Sequence, residues 1–313
     1  MTASIILLSL ALALGGLGPR LIDRVMRPES APMSGVLAWQ TTSAAVLLSF
    51  GMGAALLCRH IWTSASGLEL LGRCAELLTH ARTAEPVTLA GLLGITVLLV
   101  GAMRVLWCGF RHARRIGRDR RAQRLRLAML AVPHESEPDV RVIDQGPATV
   151  FCLPHWARGD VYVTNAALEV LSRAELAAVL EHERAHLRGR HALVVSAATV
   201  LGTAFPFVPL FRAAANAVPG LVEMAADDAA VRHTDRHVVA GALLCLAEAA
   251  TPATAFGAGG STVIRRVRRL VDPDPRSGGF RVVLVTAVAL AVLLGPIAVG
   301  TLAPAAACPF AMP

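Results

Sequence analysis

The stretch Ser172–His191, SRAELAAVLEHERAHLRGRH, contains the pattern H-E-x-x-H and determines how the rest of the chain can be interpreted. Ser172 and Glu175 have the spacing of a capping box, in which each side chain bonds the other residue's backbone N–H, so a helix is predicted to begin there. The apolar residues that follow recur at helical spacing and would bury one side of that helix: Leu176, Val179, Leu180 and Leu187. The pattern therefore lies in the middle of a helix.

The H-E-x-x-H residues are His182, Glu183 and His186. Residues four apart lie on one face of a helix, so the two imidazoles can bind one metal ion, and this spacing is typical of zinc hydrolases. Glu183 can reach a water on that metal and act as the general base. A catalytic zinc takes three protein ligands, so a third ligand is needed.

Two sequence patterns could supply the third ligand. In the extended pattern H-E-x-x-H-x-x-G-x-x-H, Gly189 has the expected place, but Ala192 stands where the third His is required and His191 comes one residue early. The other option is an acidic residue on a later helix. Glu223, in the stretch 221–228 (LVEMAADD), is the best candidate.

Asp227 lies four residues after Glu223, so the two carboxylates share a helical face, whereas Asp228 points elsewhere. Glu223 is predicted to bind the metal. Asp227 is predicted to accept the outward N–H of a ligating His, an interaction that fixes the ring's tautomer.

H-E-x-x-H followed by E-x-x-x-D resembles the integral-membrane zinc endopeptidases. The likeness is closest to the β-lactam sensor-transducer (antirepressor) metallopeptidases and more distant to the CAAX-prenyl-protease type, and it covers roughly 140–272. It implies a zincin-like domain, a Zn²⁺ cofactor and a regulatory protein, such as a transcriptional repressor, as substrate. The sensor-transducers carry an extracellular sensor after their last span, and this sequence shows none there, which argues against β-lactam sensing itself.

The composition indicates a membrane protein, because 55% of the residues are hydrophobic and only 17% are charged. The net charge of +8 is carried by Arg, since the chain has no Lys. The six Cys form no C-x-x-C pair, so they predict neither a disulfide scaffold nor a zinc site of their own.

Four membrane spans are predicted. The uncharged run Met1–Pro19 is followed rather than preceded by Arg, which favours an uncleaved span with an outer N-terminus over a signal peptide. Ser30–Cys58 is the second span, and the loop 59–85 after it suits the outside. Pro86–Phe110 is the third span, near whose end Arg104 can snorkel to the interface. Val282–Leu302 is the fourth.

Eight Arg lie between Arg111 and Arg126, which places this flank in the cytoplasm under the positive-inside rule. Attraction to anionic lipid explains the cluster without direct nucleic-acid binding, which is not expected. The sequence thus predicts a mainly α membrane protein with three transmembrane helices in 1–110, a cytoplasmic α+β zincin-like metallopeptidase domain at 111–279, a fourth transmembrane helix at 280–303 and a short tail at 304–313.

Within the catalytic domain, three short extended segments predict a small sheet: Val140–Ile143, Thr149–Leu153 and Val161–Val163. Val161–Val163 is the predicted edge strand beside the active-site helix, where it would hold an extended substrate by main-chain hydrogen bonds. Alternatively, the sheet only supports the helix.

The uncharged segment Ala192–Phe211 is long enough to cross a bilayer, yet it separates His186 from Glu223. Ligands of one ion must lie on the same side, so this segment is predicted to be a re-entrant or interfacial hairpin that turns near Pro206 and Pro209. An apolar helix at 238–250 and a loop at 251–261 follow. Four Arg then mark the cytoplasmic side again: Arg265, Arg266, Arg268 and Arg269.

We therefore expect a multi-pass zinc metalloendopeptidase of the cell membrane that cleaves a cytoplasmic or membrane-proximal protein in regulatory signalling. The alternative is a non-catalytic signalling or scaffold protein with a structural zinc site, but such a site does not need Glu183. The residue that stabilises the oxyanion is left open among four candidates: His191, Arg232, His233 and His237.

Overall fold

A computed structural model of the protein describes residues 2–26, 29–62, 86–154, 159–250, 258–272, 287–288 and 290–299. The described chain is mostly helical and contains one small sheet. The helices are α1 (Thr2–Leu21), α2 (Pro32–Trp62), α3 (Pro86–Leu130), α4 (Asn165–Val170), α5 (Arg173–Arg188), α6 (His191–Ala204), α7 (Pro209–Val231), α8 (Arg236–Ala250) and α9 (Ala258–Val271). The strands are β1 (Ala131–Pro133), β2 (Val140–Ile143), β3 (Val150–Leu153) and β4 (Asp160–Thr164).

Three described helices are long and apolar enough to cross a membrane: Thr2–Arg24, Pro32–Leu57 and Leu93–Leu130. They correspond to the first three predicted spans. The predicted fourth span and the short tail lie largely outside the described residues, which include only a ten-residue apolar helix, Leu290–Val299, in that region. Most of the predicted loop at 59–85 also lies outside them.

The four strands form one sheet in the order β1-β2-β4-β3. The parallel pairing of β2 with β4 and the antiparallel pairing of β3 with β4 make β4 an internal strand. The prediction that Val161–Val163 forms the edge strand is therefore wrong. Val161 and Val163 are completely buried, as befits a strand with neighbours on both sides, and β3 is the edge strand next to them.

Helix α5, which carries H-E-x-x-H, begins with the predicted capping box. The Ser172 hydroxyl accepts from the backbone N–H of Glu175 at 3.3 Å, and the Glu175 carboxylate accepts from the backbone N–H of Ser172 at 2.9 Å. Val179 and Leu180 pack into the core formed with β4 and α8. The local sequence therefore fixes where this helix begins and which side it buries.

Helices α6 and α7 form an antiparallel hairpin whose turn lies between Ala204 and Pro209. The hairpin packs among the three candidate membrane helices: Gln40 of α2 donates to the carbonyl of Val194 at 2.9 Å, and a Cβ added at Gly15 of α1 would lie 3.4 Å from Val208. Pro209 is the first residue of α7, where its missing N–H costs no hydrogen bond. The hairpin therefore brings the chain back so that Glu223 lies beside His186, with 3.5 Å between Oε1 and Nε2.

Arg104, which the sequence suggested could snorkel to the membrane interface, has a partner within the protein. Its Nε donates to the carbonyl of Ala204, the last residue of α6. Carbonyls in the last turn of a helix have no partner within the helix, so this bond satisfies one of them in apolar surroundings. The predicted loop at 251–261 also needs correction, because α9 already begins at Ala258.

Candidate metal centre

The structure brings together the three side chains predicted to bind a metal. Nε2 of His182 lies 3.1 Å from Nε2 of His186 and 3.6 Å from Oε2 of Glu223, and Nε2 of His186 lies 3.5 Å from Oε1 of Glu223. Donor atoms bound to a tetrahedral zinc at about 2.0–2.1 Å are separated by about 3.3 Å. The three donors are therefore spaced as a zinc ion requires.

The charges around the three donors also suit a divalent cation. Glu183, Glu223 and Asp227 supply three carboxylates, and Arg266, which is only 8% exposed, supplies one guanidinium. Together they leave two formal negative charges in a largely buried site. Because burying uncompensated charge is costly, a doubly charged cation would neutralise the cluster.

Asp227 lies where the sequence placed it, behind His182. Its Oδ1 is 3.0 Å from Nδ1 of His182, close enough to accept the N–H that the ring carries when Nε2 binds a metal. Burial alone would lower the pKa of His182, but its hydrogen bonds to Asp227 and Glu223 outweigh burial and raise that pKa to about 9. The metal-free site therefore attracts a cation, whether a proton or a metal ion.

Arg266 is the site residue that the sequence analysis missed. It binds both carboxylate oxygens of Asp227, and its Nη1 lies 3.0 Å from Oε2 of Glu223. The sequence pattern identifies the Arg cluster of α9 only as a marker of membrane topology. Helical spacing indicates that Arg266 faces inward, because it lies four residues before the buried Leu270 and therefore on the same face of α9.

Arg269, three residues after Arg266, connects α9 both to α7 and to the segment between α1 and α2. Arg269 donates from Nη2 to Asp228 at 2.8 Å and from Nε to the backbone carbonyl of Glu29 at 2.7 Å. Asp228, which the sequence excluded from the metal site, thus has an ion-pairing role on another face of α7. Arg266 and Arg269 lie three residues apart on one face of α9, and both hold this face against α7.

Glu183 faces the edge strand. Burial raises the pKa of its carboxyl above the usual value, and the carboxylate accepts a hydrogen bond from the Cys152 thiol of β3. Burial and the nearby Glu183 carboxylate in turn raise the pKa of that thiol. A carboxyl with a raised pKa is better suited to accept and return a proton near neutral pH.

Of the four oxyanion candidates, only His191 contacts a predicted metal ligand. Its Nδ1 lies 3.0 Å from Nδ1 of His186, and burial lowers the pKa of His191. His233 instead lies 3.8 Å from Glu181, and His237 lies 3.3 Å from Asp235, both as exposed side chains. Arg232 is exposed at the end of α7.

Comparison with known proteins gives one match. Neither the curated proteins nor the solved structures yielded a similar chain. Residues 114–256 match the family model described as Peptidase family M48, a range that includes α5, the sheet and α7. Peptidases of this family are generally zinc-dependent. Residues 114–256 contain the His-His-Glu cluster, and their similarity to Peptidase family M48 supports a metallopeptidase function for this part of the chain.

Proposed function

We propose that this chain is a membrane-bound zinc endopeptidase that hydrolyses peptide bonds of a cytoplasmic or membrane-proximal protein. The observation that carries the proposal is the convergence of His182, His186 and Glu223 at zinc-like separations beside the Glu183 carboxylate. The similarity of residues 114–256 to Peptidase family M48 supports the same proposal, because this range contains all four residues.

A zinc ion held by these three side chains would supply a water of lowered pKa and polarise the scissile carbonyl. Residues of the chain transfer the proton and hold the metal-binding side chains in place. Glu183 accepts the proton of the attacking water and later donates it to the leaving amine. Asp227 holds the ring of His182, and Arg266 holds Asp227 and Glu223 in place. Cys152 orients the Glu183 carboxylate by donating its S–H.

Strand β3 is the surface that we propose for substrate binding. It lies at the edge of the described sheet, and its residue Cys152 contacts Glu183, so a peptide paired with β3 would pass the general base. Thr164 donates to the carbonyl of Thr149 across the β3–β4 pair. Because antiparallel ladders alternate, the N–H groups of Val150 and Cys152 point away from β4. The N–H of Cys152 bonds the Glu183 carboxylate, so the N–H of Val150 is the one that we propose for a substrate strand.

The packing of the α6–α7 hairpin supports a membrane-proximal site. The hairpin lies among three helices able to span a membrane, and its open end carries His191 and Glu223. We place the peptidase domain in the cytoplasm of a multi-pass protein, because the Arg cluster after the third span follows the positive-inside rule. Its substrate, by resemblance to the sensor-transducers, is a regulatory protein such as a repressor.

The experiment that tests the proposal compares Glu183→Gln with Glu169→Gln, a change of an exposed carboxylate on α4. Glu183→Gln should keep one zinc per chain but lose self-cleavage and cleavage of casein by about 10²- to 10⁴-fold, the usual contribution of a general base. Glu169→Gln should match the parent. Equal cleavage by the parent and Glu183→Gln, with equal zinc content, would instead favour the scaffold protein with a structural zinc.

A further inference from the structure

His191 is buried against the predicted ligand His186 in a geometry that ordinary packing does not explain. The residue is 4% exposed, its ring meets that of His186 edge to face at 88°, and the two Nδ1 atoms lie 3.0 Å apart. That distance is within hydrogen-bond range, so one ring must donate to the other.

The direction of this hydrogen bond follows from the position of His186. Its Nε2 faces His182 and Glu223, so a neutral ring that binds a metal there carries its only hydrogen on Nδ1. Nδ1 of His186 is then the donor, and Nδ1 of His191 is the acceptor. His191 must therefore carry its own hydrogen on Nε2.

The turn between α5 and α6 has two features that place the His191 ring. Arg190 adopts φ 48° and ψ 39°, which makes it the one residue other than glycine with positive φ in the described part of the chain. A Cβ added at Gly189 would lie 2.4 Å from Nε2 and 2.6 Å from Cδ2 of His191. The ring therefore occupies space that any other residue at 189 would need, and strained backbone of this kind is often found at functional sites.

We propose that His191 is a positioning residue that fixes the ring and the tautomer of His186. This inference rests on the proposed zinc site and refines it. The two His ligands are then held differently: His182 by the Asp227 carboxylate and His186 by a neutral imidazole. Since a carboxylate makes a ligand more basic than a neutral acceptor does, His186 is the weaker electron donor of the two.

Zinc affinity, measured by competition with a chelator in the full-length protein, tests the role of His191 independently of catalysis. His191→Ala should weaken binding about 10- to 100-fold, the usual cost of losing the hydrogen-bond partner of a ligand. His191→Asn should restore most of the affinity, because its amide oxygen can accept from Nδ1 of His186. The visible spectrum of the Co²⁺-substituted protein should change in His191→Ala and return toward the parent in His191→Asn.

Gly189→Ala provides a second route to the same defect, since its methyl group displaces the His191 ring. It should weaken zinc binding as His191→Ala does. The double variant should be no weaker than His191→Ala alone, because both contacts under 3.0 Å disappear with the ring and only a 3.1 Å contact with the Ala185 carbonyl remains. Gly117→Ala, on an open face of α3, is the matched control and should bind zinc as the parent does.

The outcomes separate this inference from the proposed function. If the parent binds no zinc, the proposed site fails. If the parent binds one zinc and His191→Ala has the same affinity and Co²⁺ spectrum, the zinc site stands and the role of His191 is wrong. Additive losses in the double variant would also overturn it, because they would mean that Gly189 acts on the site by another route.

Discussion

Arg266 binds both carboxylate oxygens of Asp227, with Nε 2.8 Å from Oδ2 and Nη2 2.6 Å from Oδ1. Asp227 is 1% exposed, so this ion pair lies almost entirely out of water. The two carboxylates that Arg266 binds, Asp227 and Glu223, are on α7, whereas Arg266 itself belongs to α9. The interaction therefore links the helix that supplies Glu223 to a helix that supplies none of the predicted ligands.

Removal of Arg266 should lower the free energy of unfolding more than removal of the neighbouring Arg269. In Arg266→Gln, the buried carboxylate of Asp227 loses its cation, and breaking a buried pair in this way costs about 3–5 kcal/mol. Arg269→Gln removes the same kind of bond to the partly exposed Asp228, so it should cost under about 1 kcal/mol. Unfolding of the metal-free protein in detergent measures both, and equal losses would contradict the assignment.

The third-ligand assignment predicts different effects for the three acidic residues of α7. Glu223→Ala should lose zinc, because only two donors remain. Asp227→Ala should weaken zinc binding about 10- to 100-fold, since it removes the partner of His182. Asp228→Ala should retain zinc, because Asp228 binds Arg269. Metal analysis of the purified variants tests all three, and full zinc in Glu223→Ala would show that another group completes the site.

The sequence determined the catalytic helix well and the surroundings of the site less well. H-E-x-x-H and the capping box are local patterns, so the start of α5 and the common face of its two His follow from spacing alone. The end of α5 at Arg188 does not, and it places H-E-x-x-H in the C-terminal half of the helix rather than in its predicted middle. The order of the strands depends on contacts between distant segments, which is why β4 was mistaken for an edge strand. Arg266 was missed for a similar reason: its role depends on how α9 packs against α7, and nothing in its neighbouring residues specifies that.

Zinc binding should depend on pH through His182. Its pKa of about 9 in the metal-free site means that the ring holds a proton at neutral pH, which zinc must displace. Burial lowers the pKa of His186 to about 4, so that ring is already neutral. The apparent zinc affinity should therefore rise about tenfold per pH unit from about pH 7 to about pH 9 and then level off.

The raised pKa of His182 also makes the stability of the metal-free fold depend on pH. This stability falls as the pH rises, whereas the zinc affinity increases. The raised pKa of His182 stabilises the metal-free fold fully below the ordinary value of 6.5, and this contribution is lost as the pH rises through about 9. Chelator competition between pH 6.5 and 9.5 measures the affinity. Asp227→Asn should move the rising part of the curve to lower pH, and an unchanged curve would mean that Asp227 does not control this proton.

Proline substitutions along β3 can test whether a substrate pairs with the open edge of the sheet. Proline removes one backbone N–H and is tolerated on edge strands where that N–H faces outward. At Val150 the lost N–H points to the open edge, so Val150→Pro should fold and keep its zinc but raise the KM for an extended peptide substrate. Each lost main-chain bond is worth about 1 kcal/mol, or roughly fivefold in KM. At Phe151 the N–H points to β4, so Phe151→Pro should destabilise the sheet itself. If Val150→Pro cleaves with the parental KM while Phe151→Pro unfolds, then β3 supports α5 but does not hold the substrate.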